Sequence, residues 1–393
     1  MPPKKQVEEK KLLLGRPGNN LKAGIVGLAN VGKSTFFQAI TRCPLGNPAN
    51  YPFATIDPEE ARVIVPSSRF DKLCEIYKPA SKVPANLTVY DIAGLTKGAS
   101  AGEGLGNAFL SHIRAVDSLY QVVRCFDDAE IIHIEGDVDP VRDLDIINTE
   151  LRLKDIEFSE KHLESVHKIT KRGGQSLEVK QKKEEAALVE KIIELLKSGQ
   201  RVANHSWSTK EVEVINSMFL LTAKPSIYLI NLSEKDFIRK KNKHLLRIKE
   251  WIDKYSPGDL VIPFSVSLEE RLSHMSTEEA EEELKNLGVE SSLPKIITTM
   301  RQKLDLISFF TSGADEVREW TIRRGTKAPQ AAGVIHNDLM NTFILAQVMK
   351  YEDIVELKDE VAIKAAGKMQ QKGKDYVVED GDVIYFRAGA GKN

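Results

Sequence analysis

Cysteine is scarce in this 393-residue chain: Cys43, Cys74 and Cys125 are the only three. They are odd in number and widely spaced, with no Cys-x-x-Cys pair. That pattern excludes a disulfide framework and a thiolate zinc site, and points to a reducing compartment. Net charge is nearly absent as well. The 56 Lys and Arg residues against 57 Asp and Glu leave −1, which excludes a chain that is basic throughout, though not local basic patches. No apolar run approaches the ~18 residues of a membrane span, and Met1-Pro-Pro-Lys-Lys lacks the apolar core of a secretory signal. No membrane partner and a cytoplasmic location are therefore expected. What remains is an ordinary globular composition, 41% apolar and 29% charged, in a length that suits two or three domains.

Residues 1–20 are polar, charged and broken by Pro2, Pro3, Gly15, Pro17 and Gly18, which predicts a flexible tail with Leu12-Leu13-Leu14 able to dock on the body. From Leu21 the pattern becomes α/β. Short apolar runs at Ala23–Val26, Leu87–Tyr90, Leu119–Val123, Ile227–Ile230 and Val261–Phe264 read as buried parallel strands with helices between them. Between the third and fourth runs lie about a hundred residues, far more than a crossover needs. Ile156, Leu163 and Val166, then Leu188, Ile192 and Leu195, mark two helices with Gly173-Gly174 between them. Two arrangements fit: a projecting antiparallel hairpin, or two helices lying on the main domain. The narrow seam favours the hairpin. The expected division is a sheet domain over 21–142 and 206–303, a helical arm over 143–205, and a small α+β domain over 304–393. In the last, Trp320-Thr-Ile and Ile354-Val-Glu-Leu read as strands, Asp338–Met349 as a helix, and Asp380-Gly381 as a hairpin turn.

The chemistry begins at Gly27-Leu-Ala-Asn-Val-Gly32-Lys33-Ser34, a glycine-rich turn between a strand and the helical stretch Thr35–Ile40. In that context it reads as a phosphate-binding loop. Backbone N–H groups and a helix N-terminus close on the β-phosphate, Lys33 reaches the β- and γ-phosphates, and the Ser34 hydroxyl ligates Mg2+. Asn30, Val31, Gly32, Lys33, Ser34 and Thr35 are the expected phosphate contacts. The strand Leu87–Tyr90 ends in Asp91-Ile-Ala-Gly94, where Asp91 can hold Mg2+ and the Gly94 N–H can sense the γ-phosphate. Between them, Asn50–Pro58 carries Thr55, the candidate switch threonine for Mg2+.

The strand Ile227–Ile230 leads into Asn231-Leu232-Ser233-Glu234. Guanine-specific P-loop switches carry Asn-Lys-x-Asp there. Replacing the aspartate by Glu234 pushes a carboxylate into the guanine edge, and Leu232 offers the base only apolar contact, so the site should turn toward adenine. Together with Glu103-Gly-Leu-Gly-Asn-Ala-Phe109 and Ala328–His336, these motifs resemble the Obg-like ATPase family, the YchF type of translation-factor-class P-loop GTPases, in its eukaryotic form. The resemblance spans Leu21–Phe386. It implies a G domain interrupted by a coiled-coil arm, a C-terminal TGS domain of β-grasp type, ATP bound at least as well as GTP, and association with ribosomes and ribosomal RNA. A monomer is expected.

After Asp91-Ile-Ala-Gly94, many GTPases place a glutamine that orients water; here Leu95 cannot, which predicts slow turnover. Asn30 has two readings: a K+ ligand, as in potassium-stimulated relatives, or a residue that shapes the loop. His112, near the glycine-rich 98–106 stretch, is a candidate catalytic histidine weighed against a structural one; His133 and His336 are weaker. Basic residues on the arm (Lys168, Lys171, Arg172, Lys180, Lys182, Lys183) and Arg323-Arg324-x-x-Lys327 could meet a phosphate backbone, or simply be solvated. Competing functions are a ribosome-assembly GTPase and a non-enzymatic scaffold that holds ATP.

Overall fold

The computed structural model describes residues 14–15, 21–42, 60–92, 112–128, 130–131, 133, 135–171 and 177–389. Along them run β1 (Lys22–Val26), α1 (Lys33–Arg42), β2 (Glu60–Ile64), α2 (Ser68–Tyr77), β3 (Ser81–Val83), β4 (Asn86–Asp91), β5 (Ser118–Arg124), α3 (Pro140–Thr170), α4 (Leu177–Lys197) and α5 (Thr209–Met218). They continue as β6 (Ser226–Asn231), α6 (Glu234–Arg239), α7 (Leu245–Tyr255), β7 (Leu260–Phe264), α8 (Val266–Leu272), α9 (Thr277–Leu287) and α10 (Leu293–Lys303). The chain closes with β8 (Leu306–Thr311), β9 (Glu316–Arg323), α11 (Ala328–Ile335), α12 (Asn337–Asn341), β10 (Phe343–Met349), α13 (Tyr351–Leu357), α14 (Glu360–Ala365), β11 (Gln370–Lys372) and β12 (Val383–Ala388). Among the described residues no helix is long and apolar enough to cross a membrane. Thr55, Gly94, Leu95, Arg172 and the glycine-rich stretch 98–106 lie outside the described residues.

The first sheet has the order β2-β4-β1-β5-β6-β7. β2 runs antiparallel to β4 and every other neighbour is parallel. All five expected strands are present. Their apolar runs are continuous because both faces are covered: Ile25, Leu87, Val89, Leu119, Val122, Ile227, Leu229 and Phe264 form one core. The register sets Ile25 beside Asp91, Arg124 beside Asn231, and Asn231 beside Phe264. The carboxyl ends of β1, β4, β5, β6 and β7 therefore share one edge, with strand order reversing at β1, which is where such sheets bind ligands.

α3 starts at Pro140, capped by the Asp139 carboxylate, which accepts from the Val141 and Arg142 N–H groups. Its first half packs Ile147 and Leu151 on the sheet core. Farther along, Ile156 and Leu163 meet Leu188, Ile192 and Leu196 of α4. Lys197–Glu160 and His162–Glu185 pair across the two helices, both at 2.8 Å. The seam is wider than the spacing predicts, because Ile215 and Met218 of α5 enter the same cluster. Leu14 also packs there, and the Gly15 N–H donates to Asn216 Oδ1 at 2.9 Å. At these two residues the expected flexible tail is docked, as the leucine run allowed.

The second sheet has the order β11-β10-β12-β8-β9-β3, with α11 packed on its apolar face. Three expectations fail in this region. Phe343–Met349 is a strand, not the end of a helix, because pairing with β12 buries Phe343, Ala346 and Val348 and overrides the helical preference of Leu, Ala, Gln and Met. Ile354-Val-Glu-Leu is helical within α13, where only Ile354 is buried. Asp380-Gly381 makes a turn, with Gly381 at φ 98°, but no hairpin. The Gly381 N–H donates to Ser308 O (2.8 Å) and Asp380 Oδ1 accepts from Ser308 N–H (2.9 Å), so the turn docks on β8. β12 then pairs with β10 and β8 instead.

The sixth strand of this sheet comes from far upstream. β3 pairs in parallel with β9, Lys82 beside Val317. Phe70, Leu73 and Cys74 of α2 share a core with Phe310, Val317, Met349, Ile354 and Val383. The excursion between β2 and β4 is thus built into the C-terminal sheet.

Candidate nucleotide site

The loop after β1 is shaped by close approach. A Cβ on Gly27 would stand 2.6 Å from Val122 O. Gly32 adopts φ +99°, and a Cβ there would stand 2.6 Å from the Asn231 side-chain nitrogen. Both positions need glycine for physical reasons. Asn30 takes the left-handed conformation at φ 61°, which asparagine tolerates better than most residues. Val31 is buried in the sheet core, and α1 begins with Phe36 N–H donating to Gly32 O at 2.9 Å. Ser34 is exposed and Thr35 half-buried in the first turn of α1, where N–H groups lack helical acceptors and the dipole favours an anion.

Lys33 is 7% exposed. Its Nζ donates to Leu28 O at 2.7 Å, closing the loop on itself. Burial pushes this ammonium down to about 8, against the pull of the Asp91 carboxylate. Asp91 ends β4 and so lies at the same sheet edge. Ser34 and Asp91 supply hard oxygen donors of the kind Mg2+ takes and would hold it here. Among the described residues there is no group of three or more His, Cys, Asp or Glu that could hold a metal ion.

Asn231 joins two walls of the site. Its Nδ2 donates to Val31 O at 3.0 Å and its Oδ1 accepts from Val266 N–H at 3.0 Å. Leu232 departs from expectation. Its side chain is 2% exposed, packed with Val123, Ile230, Ile248 and Trp251, so apolar burial has taken it away from any base. Only its backbone faces the strand ends, its N–H donating to Phe264 O at 2.8 Å. Glu234 begins α6 beside Ser233, whose hydroxyl caps that helix through Asp236 N–H. The Glu234 carboxylate pairs with Arg271 at 3.1 Å.

The structure thus brings Asn30, Val31, Gly32, Lys33, Ser34, Thr35, Asp91, Asn231 and Glu234 to one edge. His112 is exposed at the start of the helical turn 112–115 and enters none of these contacts. His133 is structural: buried, it meets Asp143 at 2.8 Å and accepts from Glu135 N–H. His336 caps α12.

Two family profiles match this architecture. One, described as "50S ribosome-binding GTPase", covers residues 22–159; the other, the C-terminal profile of YchF GTPases, described as "Protein of unknown function", covers 306–389. A Saccharomyces cerevisiae protein named Obg-like ATPase 1 is 87% identical over 394 residues, spanning 100% of both chains. The chain belongs to the Obg-like ATPase family, of the YchF type. The Obg-like ATPase 1 proteins of Schizosaccharomyces pombe and Homo sapiens are 64% and 53% identical, covering 99% and 98% of this chain. The solved structure of the Schizosaccharomyces pombe YchF GTPase aligns with TM-score 0.89 at 63% identity, covering 96% of this chain and 100% of that one.

Within this Obg-like fold, three contributors escaped the sequence reading. Arg124, fully buried at the end of β5, donates to the carbonyls of Phe126 (3.2 Å), Ile131 (2.9 Å), Asp128 (3.4 Å) and Asn30 (3.5 Å), tying the following loop to the phosphate loop. Val266 receives Asn231, and Arg271 receives Glu234. Ser265-Val266-Ser267, directly after the last parallel strand, was a signal available in the sequence. Arg271 had none, since its partner lies 37 residues away.

Proposed function

We propose that this chain binds ATP with Mg2+ in preference to GTP and hydrolyses it slowly, as a monomeric cytoplasmic switch that associates with ribosomes. The observation that carries this reading is Glu234 at the head of α6, three residues after an Asn231 built into the phosphate loop. A carboxylate one methylene longer than aspartate intrudes on the guanine edge, and adenine has no paired N1 and N2 donors to lose. The relatives named Obg-like ATPase 1 support the same nucleotide.

Lys33 would exchange Leu28 O for the β- and γ-phosphates, losing one main-chain hydrogen bond and gaining charge-assisted ones. The N–H groups of the loop and of the first turn of α1 would hold the β-phosphate. Ser34 and Asp91 would hold Mg2+, which when bound draws charge from the phosphate oxygens. With Leu95 in place of a water-orienting glutamine, the attacking water is positioned by backbone, by another side chain or by the phosphate itself, so turnover is slow. Asn30, in its left-handed turn at φ 61°, would either help hold K+ beside the phosphates or shape the loop alone.

Ribosome association draws support from the description of the N-terminal profile. Of the basic residues, Lys182 is already paired with Glu185, Arg324 with Asp305 and Lys327 with Asp375, and Arg323 is half-buried; among the described residues Lys168, Lys171, Lys180 and Lys183 are then the better phosphate contacts. Calorimetric titration with ATP and GTP tests the nucleotide: tighter GTP binding would favour the second reading, a ribosome-assembly GTPase, which the same profile description supports. Multiple-turnover phosphate release that vanishes in Ser34→Ala excludes a scaffold. Salt-sensitive co-sedimentation with ribosomes, weakened by charge reversal at Lys180 and Lys183, tests the partner.

A further inference from the structure

The wall that carries Glu234 also carries an ion-pair triad. Arg271, on α8, reaches Glu234 Oε2 with Nη2 at 3.1 Å and Glu283 Oε1 of α9 with Nη1 at 2.7 Å. All three side chains are about one-third exposed, so the pair borders solvent where a ligand can meet it. The arginine is not placed at random. The N-terminal residue of α8 is Val266, whose N–H is held by Asn231, and Asn231 holds Val31 of the phosphate loop. Arg271 is therefore tied to the same frame as the phosphate loop, and it holds the Glu234 carboxylate to that frame in turn.

A purine reads a carboxylate by its edge. At the length of Glu234 a carboxylate crowds the guanine edge, yet a free one would still attract the guanine N1–H and N2–H donors and repel the adenine N1 lone pair. Pairing with a guanidinium offsets the charge of the carboxylate and engages one of its oxygens, Oε2. It weakens the attraction for guanine and the repulsion of adenine at once. We propose that Arg271 is a specificity-determining residue of the nucleotide site, holding the Glu234 carboxylate on α8 so that the pocket accepts adenine and no longer rewards guanine. This inference rests on the reading that Glu234 faces the base. Glu283 acts behind it, keeping Arg271 in place.

The test is a set of ATP and GTP dissociation constants for the full chain and for Arg271→Ala, Arg271→Met, Glu283→Gln and the double variant Glu234→Gln/Arg271→Ala. Releasing Glu234 should shift the ATP-to-GTP preference toward GTP by about threefold to fivefold, the range of a partly solvated ion pair. Glu283→Gln should shift it less. The double variant, with no carboxylate to release, should restore the preference. Arg271→Met keeps the side-chain stem and serves if the alanine variant unfolds. An unchanged ratio in folded Arg271→Ala or Arg271→Met, with an ATP-preferring parent, overturns the inference alone. A parent that does not prefer ATP overturns the reading of Glu234 on which it rests.

Discussion

Asn231 Nδ2 donates to the main-chain carbonyl of Val31 across 3.0 Å, binding the end of β6 to the phosphate loop. The same amide accepts from Val266 N–H, so one buried side chain fixes three strand-end loops. Asn231→Ala would leave a buried carbonyl and a buried N–H without partners, each costing about 1–3 kcal/mol. Stability should fall by about 2–6 kcal/mol, and nucleotide affinity by about tenfold or more. Fluorescent-nucleotide binding beside a thermal melt separates the two effects.

Burial lowers Lys33 to about 8 from an ordinary value of 10.5. Between those values the unfolded chain binds more protons than the folded one, so this residue's contribution makes stability rise with pH through that window; below about 8 the penalty is constant. A bound triphosphate should raise the ammonium again. Nucleotide binding should therefore take up a proton above pH 8, and affinity should fall as pH rises further. Titration calorimetry at pH 8.5 in two buffers of different ionisation enthalpy measures the uptake, which should be missing in Lys33→Met.

Leu73 is fully buried among Phe310, Val317 and Ile354, although its helix lies between two strands of the first sheet. Leu73→Ala should cost about 2–5 kcal/mol. The loss should be felt by the C-terminal sheet: hydrogen exchange should speed up in β8, β9 and β12. Acceleration confined to α2 would contradict the shared core.

Leu95→Ala should leave ATP turnover within several-fold of the parent, because an aliphatic side chain has no hydrogen bond with which to position water. Complete loss of turnover with intact ATP binding would overturn that. Replacing K+ by Na+ should slow turnover if Asn30 faces a cation; equal rates would leave Asn30 as a loop-shaping residue alone.

Much of the site was legible in the sequence because its requirements are local. A glycine at φ +99°, a lysine and a serine at a helix start, and an aspartate ending a strand follow from spacing and residue type. The five parallel strands were legible for a similar reason, since burial on both faces leaves an uninterrupted apolar run. Where the pattern was ambiguous, the sequence misled: Phe343–Met349 is rich in helix formers, and only its partner β12 made it a strand.

By itself, the sequence determined the phosphate loop, the strands that carry it and the family to which the chain belongs. Tertiary structure alone decided that Leu232 turns into the core, that β3 completes the other sheet, and that Arg271 pairs with Glu234. Each of those depends on which distant surface a residue meets. A single side chain among many exposed charges, or a three-residue strand, carries no periodicity that could announce its partner.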